Sequence, residues 1–196
     1  MAKSTMISNC KVIIIGGSAG SLQVLMDVLP SIPMIHSFAI VIVLHRRASD
    51  DLTLEELIKV KANIPVKIIE DKIYFKPGYL YVAPANYHLL FEKNSTIALD
   101  TSGKVNYSRP SIDVSFESVS EIYGNTVIGI LLSGSNSDGT EGLKAIQKAG
   151  GLVIVQDPAS AEMPFMPKNA IENLTPDYVL NPQEIVDFIL SVNTNF

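Results

Sequence analysis

The chain has 196 residues, is 47% hydrophobic and 18% charged, and carries 20 acidic against 15 basic side chains, a net charge of −5. This is a globular balance in a length that suits one domain with a sizeable core, and the acidic surplus argues against nucleic acid as a partner, because neutralising phosphates needs excess Lys and Arg. The single cysteine, Cys10, allows no intrachain disulfide. The apolar runs near 12–15 and 38–44 fall far short of the roughly 18–20 residues of a membrane span, and the start MAKSTMISNCKVIII has no signal-peptide pattern. A cytoplasmic protein with no membrane insertion is expected. Cys10 has no His or basic cluster beside it, so a catalytic thiol is disfavoured.

Residues 1–10 read as a polar lead-in, and 11–196 as one domain without repeats or a linker. Lys11–Ile15 predicts a buried strand. Leu22, Leu25, Met26 and Leu29 recur at i, i+3, i+4 and i+7, one face of a helix that Pro30 and Pro33 end. Phe38–Leu44 is apolar without alternation, a strand covered on both faces, with His45 at its carboxyl end. Asp50-Asp51 open a second helix with Leu54, Leu57 and Ile58 on its apolar side.

Short strand-like pieces follow at 66–69, 79–82, 87–91 and 96–99, separated by turn residues. They predict antiparallel hairpin material inserted into an α/β chain. Asp100–Arg109 reads as a polar loop. Pro110-Ser111 begin a helix with Ile112, Phe116, Val119 and Tyr123 on one side. Thr126–Leu132 is a strand, Ser133–Gly139 a loop, and a helix from Thr140 stops at Gly150-Gly151. Leu152–Gln156 is another buried strand, and 157–167 a loop rich in proline. The last helix opens with Asn181 as cap, Pro182 in the first turn and Glu184 three residues after the cap. Buried strands alternating with helices predict an α/β fold, a mostly parallel sheet between two helix layers.

In open parallel sheets ligands bind outside the carboxyl ends of strands. Three such ends carry Ser18, His45 and Asp138. A serine needs a base to accept its proton, an imidazole can be that base, and a carboxylate fixes the imidazole's tautomer. Gly16-Gly17-Ser18-Ala19-Gly20 also fits G-x-S-x-G on a strand-to-helix turn, where following backbone N–H groups can face an oxyanion. Other readings stand beside this one. Ser18 and Asp138 can each cap the helix that follows, and His45 can be an ordinary sheet-end histidine. A dinucleotide or nucleotide loop fits less well, since neither G-x-G-x-x-G nor G-x-x-x-x-G-K-[ST] is present. His36 and His88 are expected to be non-catalytic. Three histidines without matching Cys or acid spacing give no metal site, and no cofactor is expected.

The blocks IIIGGSAGS (13–21), VIVLHRRAS (41–49), YVAPANYHL (81–89), SRPSIDVSF (108–116), ILLSGSNSDGTEGL (130–143) and VQDPASAEMPFMPKNAI (155–171) occur in an order that resembles the catalytic domain of the CheB-type chemotaxis receptor methylesterases. The resemblance covers about residues 11–190. It implies a three-layer α/β/α sandwich with an antiparallel hairpin, and a Ser18–His45–Asp138 triad. It also implies hydrolysis of glutamyl methyl esters on cytoplasmic chemoreceptor helices, releasing methanol, with deamidation of receptor glutamines as a second activity. Ala19 and Ser135 would stand at the oxyanion hole. Arg46, Arg47 and Arg109 would meet an acidic substrate, and Met163, with Phe165 and Met166, would line the site or pack in the core.

The chain departs from the family pattern in places. Ser21 stands where a second glycine is usual. The loop before the aspartate, roughly Gly-Met-Gly-Asn-Asp-Gly in the family, is Gly134-Ser135-Asn136-Ser137-Asp138-Gly139 here. The usual N-terminal phosphoreceiver is not among these residues, so the expectation is either a stand-alone or excised catalytic domain or regulation by another chain, a separate receiver or signalling protein, with basal activity independent of phosphorylation. Two other functions remain open at this point: a catalytically weakened receptor-binding module on the same fold, and a small-molecule serine esterase.

Overall fold

The computed structural model describes residues 7–46 and 52–194. Its elements, in chain order, are β1 (Val12–Gly17), α1 (Ser21–Val28), β2 (Ala39–Leu44), α2 (Thr53–Lys61), β3 (Val66–Ile68), β4 (Ile73–Tyr74), β5 (Leu80–Val82), β6 (His88–Phe91) and β7 (Thr96–Asp100). Then follow α3 (Ile112–Tyr123), β8 (Val127–Leu131), α4 (Thr140–Lys148), β9 (Leu152–Gln156), α5 (Phe165–Asn173), β10 (Tyr178–Leu180) and α6 (Pro182–Thr194). Seven strands form one sheet in the order β10-β9-β8-β1-β2-β5-β3, parallel at every pairing. The remaining three form a small antiparallel sheet, β4-β7-β6.

Strands β1 and β2 are buried along their whole length, which is why neither alternates in sequence. Their side chains feed two cores. Ile13, Ile15, Ile40 and Ile42 pack with Leu25 and Val28 of α1, Ile58 of α2 and Ile185 and Ile189 of α6. Val12, Ile14, Val41 and Val43 face the other way, onto Phe116 of α3, Leu143 and Ile146 of α4, Met166 of α5 and Leu89, Phe91 and Ile97 of the small sheet. The result is the three-layer α/β/α sandwich that the sequence predicts. Helix α6 starts as expected, with a reciprocal cap: Glu184 N–H donates to Asn181 Oδ1 at 3.0 Å and Asn181 N–H to Glu184 Oε2 at 2.8 Å.

The segment 64–100 divides between the two sheets. β6 and β7 pair antiparallel, with β4 added at the edge, but β3 and β5 extend the parallel sheet beyond β2. The turn at 76–78 decides this. Gly78 N–H donates to Phe38 O at 2.8 Å and Ile40 N–H to Tyr79 O at 3.1 Å, so the chain leaving the turn runs along β2 instead of folding back on β4. In α2 the buried positions are Glu55 and Ile58, whereas Leu57 is partly exposed; Asp50-Asp51 lie outside the described residues. No helix among the described residues is long and apolar enough to cross a membrane.

Candidate active site

The sheet register brings three chain segments out side by side. Gly17 pairs with Leu44 of β2, and Gly16 with Leu131 of β8. One step further, His45 N–H donates to Gly17 O at 3.1 Å and Ser18 N–H to Ser133 O at 2.9 Å. Ser18, His45 and the loop 133–138 therefore leave the sheet at one edge, where the strand order runs outward from β1 to β2 on one side and from β8 to β9 on the other. Such a switch point is where parallel sheets open a crevice.

Ser18 is half-buried, and its hydroxyl makes no hydrogen bond to a described residue. It is not a helix cap. The cap position of α1 is Gly20, at φ +80°, with no side-chain cap; Ser21 Oγ donates to the carbonyl of Ser18 instead. Gly20 is held close as well as left-handed. A Cβ there would lie 2.7 Å from both Glu162 Cβ and Ser133 Oγ. Ser133 Oγ donates to Ala19 O at 2.7 Å and accepts from Met163 N–H at 2.9 Å, so one buried hydroxyl ties the serine turn to the loop at 161–165.

Asp138 is fully buried and does not cap its own helix, whose cap position is Gly139. Its carboxylate reaches across to the start of α3. Oδ2 accepts from His45 Nε2 at 2.6 Å and Ile112 N–H at 2.7 Å, while Oδ1 accepts from Ser111 Oγ at 3.0 Å, Asp113 N–H at 3.1 Å and Asn106 Nδ2 at 3.2 Å. Burial works against its charge, but the His45 bond, the Ile112 and Asp113 amides and the His45 charge outweigh it and hold the carboxyl well below the ordinary range. The helix N-terminus adds to this stabilisation. Asp138 is therefore an anion that orients the ring and never takes its proton.

The histidine tautomer follows from its partners. Asp138, a carboxylate, can only accept, so Nε2 carries the proton. On the other side Asn136 Nδ2 lies 3.3 Å from His45 Nδ1, and Asn136 Oδ1 accepts from Asp138 N–H at 3.1 Å. That backbone donor fixes which end of the amide is the oxygen. Nδ1 thus faces a donor and holds a free lone pair.

A second carboxylate mirrors the first. Asp113, in the first turn of α3, accepts from Gly139 N–H at 2.8 Å and Gly142 N–H at 2.7 Å through Oδ1, and from Asn106 Nδ2 at 3.0 Å through Oδ2. Each aspartate caps the other's helix. Burial, with the nearby charge of Asp138, pushes the Asp113 carboxyl up to about 7, against the Gly142 and Gly139 amides. The folded state then binds this proton more tightly than the unfolded chain does, and stability falls as pH rises from about 4 to about 7. Asp113→Asn keeps an oxygen for Gly139 and Gly142 but cannot ionise. Thermal melts at pH 5 and pH 8 should show the wild type losing about 3–6 °C more than the variant; equal losses would disprove this account of Asp113.

Two backbone N–H groups at the crevice, those of Ala19 and Ser135, donate to no described group, whereas the Ser18 N–H is already bound to Ser133 O. A pocket of about 420 Å³ opens beside His45, between Arg46, Asn86, Lys104, Tyr107, Ser108 and Arg109. Arg46 is not a free cation. Its guanidinium grips buried Glu55 with both Nη atoms, one at 3.1 Å, and donates to Ala83 O at 3.3 Å. Arg109 Nη1 donates to Thr101 O and Ser102 O at 2.6 and 2.7 Å, lacing its own loop. Lys104 and the almost fully exposed Tyr107 stand at the rim. Arg47 lies outside the described residues. Met163, in the loop before α5, and Phe165, the first residue of α5, are partly exposed, while Met166 is in the core.

His88 is buried, with Nε2 bonded to Gly103 O and Nδ1 accepting from Ser111 N–H, and His36 is exposed and precedes β2, at the other end of that strand from His45. Burial raises the Cys10 thiol to about 12, which leaves it inert. Asn106, Ser111, Asp113 and Asn136 went unread in the sequence as parts of this cluster. Only Ser111 carried a signal, as a helix cap.

Comparison with known proteins shows the family to which the chain belongs. The family model described as CheB methylesterase matches residues 13–189. A Leptospira interrogans protein with the provisional name protein-glutamate methylesterase/protein-glutamine glutaminase is 44% identical over 187 residues, 95% of this chain and 97% of that one. The Thermotoga maritima protein-glutamate methylesterase/protein-glutamine glutaminase is 32% identical over 185 residues, 93% of this chain but 54% of that protein. The crystal structure of the Thermotoga maritima CheB methylesterase catalytic domain superposes with a TM-score of 0.88 at 32% identity, covering 93% of this chain and 98% of the other.

Proposed function

Since the chain belongs to the CheB methylesterase family, we propose that it hydrolyses methyl esters of glutamate side chains on chemoreceptor helices and deamidates receptor glutamines. The observation that carries this reading is the 2.6 Å contact between His45 Nε2 and an Asp138 kept anionic by four further donors, one register step from Ser18.

Ser18 Oγ attacks the ester carbonyl and its proton passes to His45 Nδ1. The oxyanion is held by the free N–H groups of Ala19 and Ser135. The tetrahedral intermediate collapses, the C–O bond to methoxide breaks, and Nδ1–H protonates the leaving group as methanol. Water then attacks the acyl-enzyme and gives a proton to Nδ1; the second tetrahedral intermediate collapses, the bond to Ser18 Oγ breaks, Nδ1–H returns that proton to the serine oxygen, and the glutamate is released. Deamidation follows the same steps with ammonia leaving. Ser135 replaces the methionine of the family pattern, but the group it contributes is a backbone N–H, which the side-chain change leaves in place. The His45–Asp138 pair, together with the undonated N–H groups of Ala19 and Ser135, favours an active hydrolase over a weakened binding module.

The substrate helix lies between Met163 and Phe165 at the start of α5, which offer apolar contact, and the basic pocket beside His45. Arg46 and Arg109 shape that pocket, and Lys104 is its unpaired cation among the described residues. Arg47 remains a candidate on sequence grounds alone. Lys104→Glu should raise KM for methylated receptor about 3–10-fold and leave a small ester within twofold; an equal change on both substrates would remove the pocket from substrate binding.

Methylesterase activity is tested by incubating the protein with radiomethylated receptor membranes and measuring methanol release, then labelling with a fluorophosphonate and mapping the adduct. Catalytic methanol release with the adduct on Ser18 is expected. Release from small esters but not from receptor would point to a small-molecule esterase.

A further inference from the structure

The loop between β8 and α4 carries one side chain that the reaction above does not use. Asn136 is half-buried and makes two bonds, one accepting from Asp138 N–H at 3.1 Å and one donating to His45 Nδ1 at 3.3 Å. The first is an Asx turn, spanning residues i and i+2, and it forces the amide oxygen toward the backbone. The NH2 group has then no choice but to face the imidazole. Nε2 has its proton committed to Asp138, so Nδ1 is the one ring nitrogen able to receive the proton of Ser18. That nitrogen is occupied by Asn136, while the Ser18 hydroxyl bonds to no described residue.

We propose that Asn136 restrains the reaction: its NH2 group occupies Nδ1, the base nitrogen of His45, until Ser18 displaces it. This rests on the hydrolase reading given above. Each turnover starts by exchanging one donor for another on Nδ1: the Asn136 N–H leaves and the Ser18 O–H arrives. No bond is made or broken beyond these hydrogen bonds until the serine attacks. The ring does not depend on Asn136 for its place, because the short charged bond to Asp138 and the His45 N–H bond to Gly17 O already set it. What Asn136 adds is a competing ground-state contact. A neutral bond of this kind shifts an equilibrium by about 2–10-fold.

The informative variant is Asn136→Ser. A serine hydroxyl at this position can still accept from the N–H two residues on, so the turn is kept, but it is too short to reach the imidazole. On methylated receptor, Asn136→Ser should raise kcat about 2–10-fold with KM within twofold and an unchanged melting temperature. A purely structural Asn136 predicts the opposite pattern, kcat lowered in Asn136→Ala and at best restored to the wild-type value in Asn136→Ser. Ser18→Ala is run alongside. If it still turns over, the hydrolase reading fails and this proposal with it; if it is inactive and a folded Asn136→Ser is no faster than wild type, the proposal alone fails. Long-range ¹H–¹⁵N spectra of the wild-type protein at pH 8 give a test that needs no variant. Protonated Nε2 and unprotonated Nδ1 on His45 are expected, and a proton on Nδ1 would overturn the assignment.

Discussion

Asp138→Asn should lower kcat by about 10⁴-fold and the melting temperature by about 5–10 °C. Both effects come from the same five donors. A carboxylate accepts on both oxygens, and Asp138 uses Oδ2 for His45 and Ile112 and Oδ1 for Ser111, Asp113 and Asn106. An amide has one oxygen, so whichever way it turns its NH2 group meets at least two donors. Turned toward His45, its NH2 donates a hydrogen bond to Nε2, which selects the tautomer with the ring proton on Nδ1 and leaves no base for Ser18. Turned away, it strips the start of α3 of its acceptor. Leaving buried donors unpaired costs about 1–3 kcal/mol for each group. The pH dependence has a definite sign. The Asp138 carboxyl is held below its ordinary value in the fold, so its contribution is present above about pH 4 and is lost as pH falls through the lowered value. The wild type should thus exceed Asp138→Asn in stability at pH 7 and lose that lead toward pH 2. Steady-state kinetics and thermal melts check both halves, and a variant with near-normal kcat would remove Asp138 from the relay.

Ser18→Ala should abolish methanol release, with kcat down about 10⁶-fold, and yet melt within about 2 °C of the wild type. In the proposed reaction the hydroxyl forms the first bond, and the neighbouring hydroxyls are engaged elsewhere: Ser21 Oγ is turned back onto the Ser18 carbonyl, and Ser133 Oγ is spent on Ala19 O. Its removal leaves no broken contact, since Oγ bonds to no described residue. The residual rate over water, about 10³-fold, measures what the Ala19 and Ser135 amides supply without a nucleophile. A variant that keeps more than a few per cent of the wild-type rate would require another nucleophile.

The parts legible in the sequence were those governed by local pattern. The runs at 12–15 and 39–44 announce strands buried on both faces, and a parallel sheet gathers its strand ends at one edge, which is how Ser18, His45 and the loop bearing Asp138 could be picked out together. Less legible was anything decided by a distant partner. Two-residue β4 and three-residue β3, β5 and β10 are too short to show a period, and whether β5 joined β2 or β4 depended on where Gly78 and Tyr79 found their hydrogen bonds. Arg46 beside the histidine looked like a substrate contact, but Glu55, nine residues on, takes its guanidinium. Asn106 sits in what reads as a polar loop, yet from the tip of the turn at 105–108 it bridges both aspartates. Asp113 reads as a first-turn acid of its own helix, and its role at α4 depends on a close approach that Gly142 allows, where a Cβ would lie 2.5 Å from Phe116 Cβ.

The crossed aspartates make the chemistry and the docking of two helices a single event. Asp138 can hold the imidazole only when α3 has wound far enough to offer the amides of Ile112 and Asp113, and Asp113 can seat α4 only when that same turn is formed. Unwinding at either helix start strands a carboxylate and disarms the relay at once. A molecule in which these two turns have opened, with the rest of the sheet intact, would lack both anchors of the carboxylate on which the proposed relay depends.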